Sequence, residues 1–168
     1  MSLKEKLPIP KCSAQDIYEI TPEFLRSQGI ELLLMDLDNT LSPDIVDEAT
    51  EELKEWIRTL QAGGIKPFIF SNNKGDRPML FAEQLDLEYV KLAKKPRQDV
   101  LHQVLEAKGY TPAQTAIIGD QIYTDVLCGA IGGLYTIVVK PILLHNPLHT
   151  LRYWAEAPFR FLGKRNSK

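Results

Sequence analysis

Short apolar runs alternate with amphipathic stretches from residue 31 onward. This alternation is typical of strands and helices that follow one another in a mainly parallel sheet. The apolar runs predict five strands, at residues 30–35, 65–70, 89–92, 115–118 and 134–139. The first run is almost entirely aliphatic, as expected of a strand that is buried on both faces. We therefore expect an α/β fold with a sheet of about five strands.

The stretches between these runs predict helices. Residues 46–62 place six apolar side chains on one face, and Gly63 and Gly64 end the helix. Those six are Val46, Ala49, Leu53, Trp56, Ile57 and Leu60. Further helices are predicted near 78–85, from Pro96 to about 109 and near 124–130, with Pro96 in a first turn because proline is tolerated there.

Composition limits the class of protein. With 168 residues, 44% of them apolar and 25% charged, the chain should form one soluble globular domain. We divide it into an N-terminal extension (1–29), a core (30–140) and a C-terminal segment (141–168). Its two cysteines, Cys12 and Cys128, lack metal-site or redox spacing, which favours a reducing compartment. No run approaches the roughly 18 apolar residues of a membrane span, so we expect a cytoplasmic protein.

Charge is distributed unevenly. The net charge is −2, but residues 140–168 hold six basic residues against Glu156 alone, so this end is +5 and the rest of the chain is −7. The acidic body argues against a nucleic-acid partner. Basic and apolar residues in 148–168 suit peripheral contact with an anionic membrane at its inner face. The alternative is that the apolar stripe packs on the core, which is the more common role of an apolar stripe at helical spacing. Pro158 is expected to interrupt any long helix there, and His145 and His149 to lie in loops.

Polar residues follow the first four predicted strands. Asp36, Ser71, Lys95 and Asp120 each come just after one. In an open parallel sheet, ligands bind beyond the carboxyl ends of the strands, so these side chains should converge. Each position alone is compatible with an ordinary polar loop, but four in succession with compatible chemistry are hard to attribute to chance.

The residue types point to phosphate chemistry with a metal ion. Asp36 and Asp38 leave the same strand, and two carboxylates that close need a cation. Mg²⁺ prefers hard oxygen ligands, and Asp120 is the natural third ligand. Lys95 supplies positive charge, although a solvated loop lysine, as expected of Lys94, is the alternative. Ser71 and Asn72 supply the hydrogen-bond donors that the phosphoryl oxygens need. Asp125 can hold Lys95 in place.

These motifs, in this order and spacing, resemble the haloacid-dehalogenase-like (HAD) phosphatases. The matching segments are Asp36-Leu37-Asp38-Asn39-Thr40, Ser71, Lys95-Pro96 and Gly119–Asp125. The resemblance implies a three-layer Rossmann-like fold, with Asp36 as nucleophile and metal ligand and Asp38 as general acid/base that binds the metal through its carbonyl. It also implies Mg²⁺ as cofactor, Asp120 as metal ligand, and Ser71 and Lys95 as phosphate-binding residues. Asp125 would lie behind these residues and support them without contacting the substrate.

Asp38 indicates the outcome of the reaction. Members of the resembled family that conserve phosphoryl energy carry Thr there, whereas an acid can protonate the leaving group and then activate water. Hydrolysis is therefore expected. Cap domains of that family are inserted after the first motif or between the second and third motifs. Here residues 41–45 are too few for such an insertion, and residues 74–93 are already assigned to one helix and one strand. We expect an open site, which suits a bulky substrate or a cap supplied by a second copy in a homo-oligomer.

A narrower resemblance extends over nearly the whole chain. The segments Ile20-Thr21-Pro22, Ser71-Asn72-Asn73 and Gly119-Asp120-Gln121 look like those of YqeG-type, subclass III phosphatases. These are similar to phosphatidylglycerophosphate phosphatases of mitochondria and plastids, which implies a lipid phosphate as leading substrate. Two alternatives stay open: a phosphatase for a soluble phosphomonoester, and a non-catalytic module that binds a protein or ribonucleoprotein partner.

Overall fold

The computed structural model describes residues 7–144 and 147–163. His145 and the basic residues Lys164, Arg165 and Lys168 lie outside these ranges. The described chain contains six strands: β1 (Cys12–Ser13), β2 (Leu32–Met35), β3 (Lys66–Phe70), β4 (Glu88–Val90), β5 (Thr115–Gly119) and β6 (Tyr135–Val138). It contains six α-helices: α1 (Pro22–Ser27), α2 (Glu51–Ala62), α3 (Arg77–Leu85), α4 (Asp99–Lys108), α5 (Leu127–Gly132) and α6 (Pro147–Leu162). A π-helical turn, Ile122–Val126, leads into α5.

All strands are parallel, in the order β1-β6-β5-β2-β3-β4. At the centre, Leu34 of β2 is paired with Phe68 of β3 on one side and Ile117 of β5 on the other. The predicted α/β class and mainly parallel sheet are confirmed, but the sheet has six strands rather than five. The additional strand, β1, contains two residues and therefore leaves no apolar run in the sequence.

The sheet is covered on both faces. Alternate residues of β2 enter different apolar clusters: Leu33 and Met35 pack with α1, α2 and α3, whereas Leu32 and Leu34 pack with α4 and α5. All four are fully buried. Helix, sheet and helix thus form three layers, which explains why β2 lacks the polar and apolar alternation of a half-exposed strand.

Two predicted helices begin later than expected. Helix α2 starts at Glu51 instead of residue 46, because the Thr50 hydroxyl accepts the Leu53 amide at 3.1 Å and caps the helix there. Val46 therefore lies outside the helix and is exposed. Helix α4 starts at Asp99, after a turn in which the Arg97 amide donates to the Lys94 carbonyl at 2.8 Å. Pro96 precedes this helix and does not lie in its first turn.

The C-terminal helix continues where a break was predicted. Helix α6 runs through Pro158 to Leu162, and it includes His149, which is therefore not in a loop. Proline removes the hydrogen bond to the residue four positions earlier, here Trp154, and both residues lie on the exposed face of α6. The inner face packs on the core, where the Phe159 ring meets Tyr123 edge to face at 5.9 Å. None of the described helices has the length and apolar character required to cross a membrane.

Candidate active site

The turn after β2 places two carboxylates at the carboxyl edge of the sheet. The Asp36 amide still donates to Ile118 of β5, at 2.9 Å. Beyond it, the Leu37 carbonyl accepts amides at 3.2, 3.0 and 3.3 Å, so the backbone folds back on itself; the donors are Thr40, Leu41 and Ser42. Asn39 adopts a left-handed conformation in this turn, with φ of 62°. Asparagine tolerates that region better than most residues.

Lys95 is the centre of the site. Its Nζ lies 2.7 Å from Asp36 Oδ1 and 2.6 Å from Asp125 Oδ1, and it donates to the Phe70 carbonyl at 2.7 Å. All three ammonium protons are thus used, and the side chain is 1% exposed. Lys94 beside it is exposed. The structure brings Lys95, Asp36 and Asp125 together as one buried charge network.

Ser71 and Asn72 follow β3 and face the loop that carries Lys95. The Asn72 amide group accepts from the Lys95 backbone N–H at 2.7 Å and donates to the Lys95 carbonyl at 3.1 Å. Its side chain therefore positions Lys95 in this structure. The buried Ser71 hydroxyl accepts the Asn73 amide at 3.1 Å, which leaves the hydroxyl proton available for another acceptor.

A cluster of buried carboxylates can hold a metal ion. Oxygen atoms of Asp36, Asp120 and Asp125 lie within 4.8 Å of one another. The Thr40 hydroxyl joins two of them, at 3.3 Å from Asp36 Oδ2 and 3.3 Å from Asp120 Oδ1. Hard carboxylate oxygens in a small buried space are the donor set that Mg²⁺ favours, so the residues present fit that ion. Asp125 belongs to the cluster, although its Oδ1 is engaged by Lys95.

Asp38 points elsewhere. Its carboxylate accepts from Arg77 Nε at 2.7 Å and from Asn73 Nδ2 at 2.9 Å, and its side chain is 29% exposed. Arg77 is itself buried, donates to the Pro43 carbonyl at 2.6 Å and pairs with Asp47 at 3.1 Å. The side chain of Asp38 is thus held at the mouth of the site rather than among the buried carboxylates.

Three residues that support the site were not predicted from the sequence. Thr40 lies inside the first motif, but its type gives no indication that it joins Asp36 to Asp120. Asn73 and Arg77 belong to a stretch that looks like an ordinary polar turn before a helix. Arg77 directly precedes Pro78 at the start of α3. Its burial depends on contacts with loop 43–47, which is distant in sequence. The residues next to Arg77 therefore give no indication of these contacts.

The site is short of positive charge. Burial, opposed by the charge of Lys95 and assisted by the charges of Asp125 and Asp38, raises the pKa of Asp36 to about 7. Burial likewise raises the pKa of Asp120 well above its usual range, with Asp36 and Asp125 adding to it and Arg160 and Arg152 opposing it. Asp36 and Asp120 therefore favour a proton or a cation.

The Lys95 ammonium shows the opposite balance. Burial by itself lowers the pKa of this lysine, but the charges and hydrogen bonds of Asp125 and Asp36 outweigh it, so its pKa is raised. Lys95 consequently stays charged throughout the physiological pH range. One buried cation faces three buried carboxylates, which leaves the cluster with excess negative charge.

Helix α6 covers one side of the site. Arg160 donates to the backbone carbonyls of Asp120 and Val139, the latter at 3.0 Å, and pairs with Glu156 at 3.0 Å. Asp36, Asp120 and Lys95 are all buried. Within residues 7–144 and 147–163 there is no separate cap domain, as expected. The site is nevertheless less open than expected, because the C-terminal segment borders it.

Comparisons with known proteins agree with this geometry. The sequence matches the family described as "Mitochondrial PGP phosphatase" over residues 1–143. Probable phosphatase YqeG from Bacillus subtilis (strain 168) is 35% identical over 138 residues, which cover 82% of this chain and 80% of that protein. Phosphatidylglycerophosphate phosphatase 1, chloroplastic, from Chlamydomonas reinhardtii is 28% identical over 149 residues, or 82% of this chain and 55% of that protein.

A solved structure supports the fold. The protein concerned comes from Streptomyces avermitilis MA-4680 and is assigned to the HAD family of hydrolases. It superposes with a TM-score of 0.60 at 15% identity, over 87% of this chain and 77% of that chain. At this identity the similarity shows the architecture alone.

Proposed function

Because the chain belongs to the mitochondrial PGP phosphatase family of HAD-like phosphatases, which are phosphoric monoester hydrolases, we propose that it works through an aspartyl-phosphate on Asp36. One observation carries this proposal. The Asp36 carboxylate is held by Lys95 at 2.7 Å and by Thr40 at 3.3 Å, inside a buried carboxylate cluster at the carboxyl edge of a parallel sheet. A nucleophile needs this kind of fixed orientation.

The reaction proceeds in two displacements. An Asp36 oxygen forms a bond to phosphorus as the bond to the leaving oxygen breaks, and Asp38 gives that oxygen its proton. Asp38 then takes a proton from water, whose oxygen attacks phosphorus and releases phosphate and free Asp36. Arg77 and Asn73 hold Asp38 at the mouth of the site, where an alcohol can leave and water can enter. Ser71 donates to a phosphoryl oxygen, and Lys95 supplies positive charge beside the phosphate.

We assign a Mg²⁺ site to Asp36 and Asp120, with the backbone carbonyl of Asp38 as a further ligand. When bound, the ion supplies positive charge that reduces the repulsion between the nucleophile and the substrate phosphate. Asp125 keeps Lys95 in place from the opposite side, through the 2.6 Å ion pair. The excess negative charge of the cluster supports this assignment.

Magnesium should stabilise the protein more at pH 8 than at pH 6. The pKa of Asp36 is raised to about 7 in the folded protein, against about 3.9 in an unfolded chain. The proton on this group therefore stabilises the fold at low pH, and that contribution is lost as the pH rises through 7. Magnesium competes with the proton, so its affinity should fall by about tenfold per pH unit below 7 for each proton displaced.

The measurement is the shift in melting temperature on adding MgCl₂ at the two pH values. Asp36→Asn is the matched control, because it removes the titrating group and should remove most of the difference between them. Equal shifts in the unmodified protein at pH 6 and pH 8 would contradict the assigned metal site.

Phosphatidylglycerophosphate is the substrate that we favour. The family description and the chloroplastic relative name this lipid. The outer face of α6 adds support, since Leu151 and Trp154 are 69% and 68% exposed on the helix whose inner face covers the site. Exposed apolar side chains next to basic ones favour contact with an anionic lipid surface. A soluble phosphomonoester is the second candidate, since the residues assigned above act on the phosphate group and its leaving oxygen.

Vesicles separate the two candidates. We expect magnesium-dependent phosphate release from phosphatidylglycerophosphate in phosphatidylglycerol vesicles, at more than about ten times the kcat/KM for glycerol 3-phosphate, and co-sedimentation with those vesicles. Leu151→Ser should weaken both properties, whereas Leu80→Ser, which removes an exposed leucine from α3, should weaken neither. Turnover of soluble substrates alone would favour the second candidate. Failure to release phosphate from any phosphomonoester would overturn the proposed function.

A further inference from the structure

The peptide group that follows Asp120 is held at both ends by charged side chains. Its carbonyl accepts from the guanidinium of Arg160 on α6. Its N–H, which belongs to Gln121, donates to Asp125 Oδ2 at 3.2 Å. Hydrogen bonds to charged groups are the stronger kind, and a peptide group fixed at both its oxygen and its nitrogen cannot turn. The backbone therefore holds the Asp120 carboxylate in one direction.

Arg160 also replaces a bond of the ladder between β5 and β6. The Val139 amide donates to the Gly119 carbonyl at 3.0 Å, which fixes the peptide group before Asp120. Regular parallel pairing would continue from the Gln121 amide to the Val139 carbonyl, but this amide donates elsewhere. The guanidinium of Arg160 donates to the Val139 carbonyl instead, at 3.0 Å. One side chain of α6 thus joins the ends of both strands at the residue that carries the carboxylate.

The guanidinium of Arg160 is fixed by its own helix. Glu156, one turn earlier, pairs with it at 3.0 Å, and the guanidinium carbon lies 4.6 Å from the centre of the Tyr153 ring. Glu156 is 1% exposed, so a buried carboxylate offsets the charge of the arginine. The pair adds no net charge beside Asp120, and its hydrogen bonds therefore hold the backbone with little repulsion of a bound cation.

We propose that Arg160 is a positioning residue for the metal ligand Asp120 and thereby sets the affinity of the site for magnesium. The inference rests on the proposed function, because it takes Asp120 as a ligand of the ion. Mg²⁺ demands a near-octahedral arrangement of its ligands, so a ligand held in one direction binds it better. Helix α6 lies beyond residues 1–143, which match the family, and its role follows from its own contacts.

The charge and the hydrogen bonds of Arg160 act in opposite directions on a bound cation. The charges of Arg160 and Arg152 both oppose the raised pKa of Asp120, and a positive charge near the site repels Mg²⁺ as it repels a proton. Loss of charge alone would therefore strengthen magnesium binding, whereas loss of the hydrogen bonds would weaken it. Within residues 7–144 and 147–163, Arg152 is not among the donors to the Asp120 carbonyl. It therefore serves as a comparison that has the charge without the contact.

Calorimetry with MgCl₂ measures the effect directly. Arg160→Met removes the donors, and its Kd for magnesium should rise by about ten- to a hundredfold, as is typical when a group that orients a metal ligand is lost. Arg152→Met is the matched control on the same helix, and it should lower the Kd or leave it within about threefold of the wild-type value. In phosphate-release assays of Arg160→Met, the magnesium concentration for half-maximal rate should rise with the Kd. Its kcat at saturating magnesium should change less than about threefold.

Two further variants separate positioning from folding. Arg160→Met leaves the buried Glu156 carboxylate without its partner, which is strongly destabilising. The double variant Arg160→Met/Glu156→Gln removes both charges together, so it should fold and show the same loss of magnesium affinity. Arg160→Lys keeps the charge but loses the planar arrangement of donors, and it should recover only part of the affinity.

Magnesium binding as tight as that of the wild type, or tighter, in Arg160→Met and in the double variant would overturn the inference. An equal loss of affinity in Arg152→Met would overturn it as well. These results are independent of turnover, so calorimetry decides the inference even if the protein releases phosphate from none of the phosphomonoesters. A wild-type protein that binds no magnesium would overturn the assigned metal site and, with it, the inference.

Discussion

Replacing Asp36 with asparagine should abolish phosphate release and, at the same time, stabilise the magnesium-free protein. The amide has the size of the carboxylate but cannot form a stable phosphoenzyme, so kcat should fall by about a thousandfold or more. Stability should rise because the neutral side chain removes a charge from a fully buried cluster in which the pKa of Asp36 is raised to about 7.

The two effects are measured separately. Phosphate release at saturating magnesium reports the chemistry, and the melting temperature in EDTA at pH 8 reports the relief of buried charge. Asp99→Asn is the matched control, since that carboxylate is 62% exposed and pairs with Arg97 at the surface. Undiminished turnover in Asp36→Asn would refute Asp36 as nucleophile. A lower melting temperature of Asp36→Asn than of the wild type in EDTA would refute the conclusion that the cluster carries excess negative charge.

Replacing Lys95 with methionine should destabilise the protein by about 3–5 kcal/mol, because it leaves buried carboxylates without their cation. Lys95 contacts Asp36, Asp125 and the Phe70 carbonyl, and its side chain is 1% exposed. Turnover should also be lost, since the same ammonium orients Asp36, the proposed nucleophile. Urea unfolding measures the first effect and phosphate release the second.

Lys94→Met is a close control, because it removes the same charge one residue earlier from an exposed side chain. We expect it to change stability by less than about 0.5 kcal/mol. If Lys95→Met does not fold, the double variant Lys95→Met/Asp125→Asn should recover part of the stability, since it removes one of the stranded charges. Equal effects of the two lysine substitutions would contradict the buried network.

Much of the fold could be predicted because its signals are local. The aliphatic run ending at Met35 reports a strand buried on both faces, and the following carboxylates mark the carboxyl edge. The boundaries were less accurate where a single side chain decides them. Thr50 caps α2 by accepting one amide. Residues 46–50, which were predicted to be helical from their apolar periodicity, therefore precede the helix.

The candidate site shows the same division. Asp36, Lys95, Asp120 and Asp125 meet because each follows a strand or begins the turn after one, and neighbouring parallel strands end at one edge. Arg77, Thr40 and Arg160 could not be predicted in the same way. Their partners are distant in sequence. Arg77 contacts the side chain of Asp38, Thr40 lies 80 residues from one of the two carboxylates that it joins, and Arg160 contacts the carbonyls that follow two strands.

The sequence by itself determined the order of strands and helices between residues 30 and 139, the residues at the strand ends and the acid two positions after Asp36, since each depends on neighbours a few residues away. Only the tertiary structure decided how the charges pair and what borders the site. Pairing depends on contacts between distant segments, as when Lys95 pairs with both Asp36 and Asp125. Likewise, α6 covers the side of Asp120 because Arg160 reaches backbone carbonyls that have no signature in the amino-acid sequence.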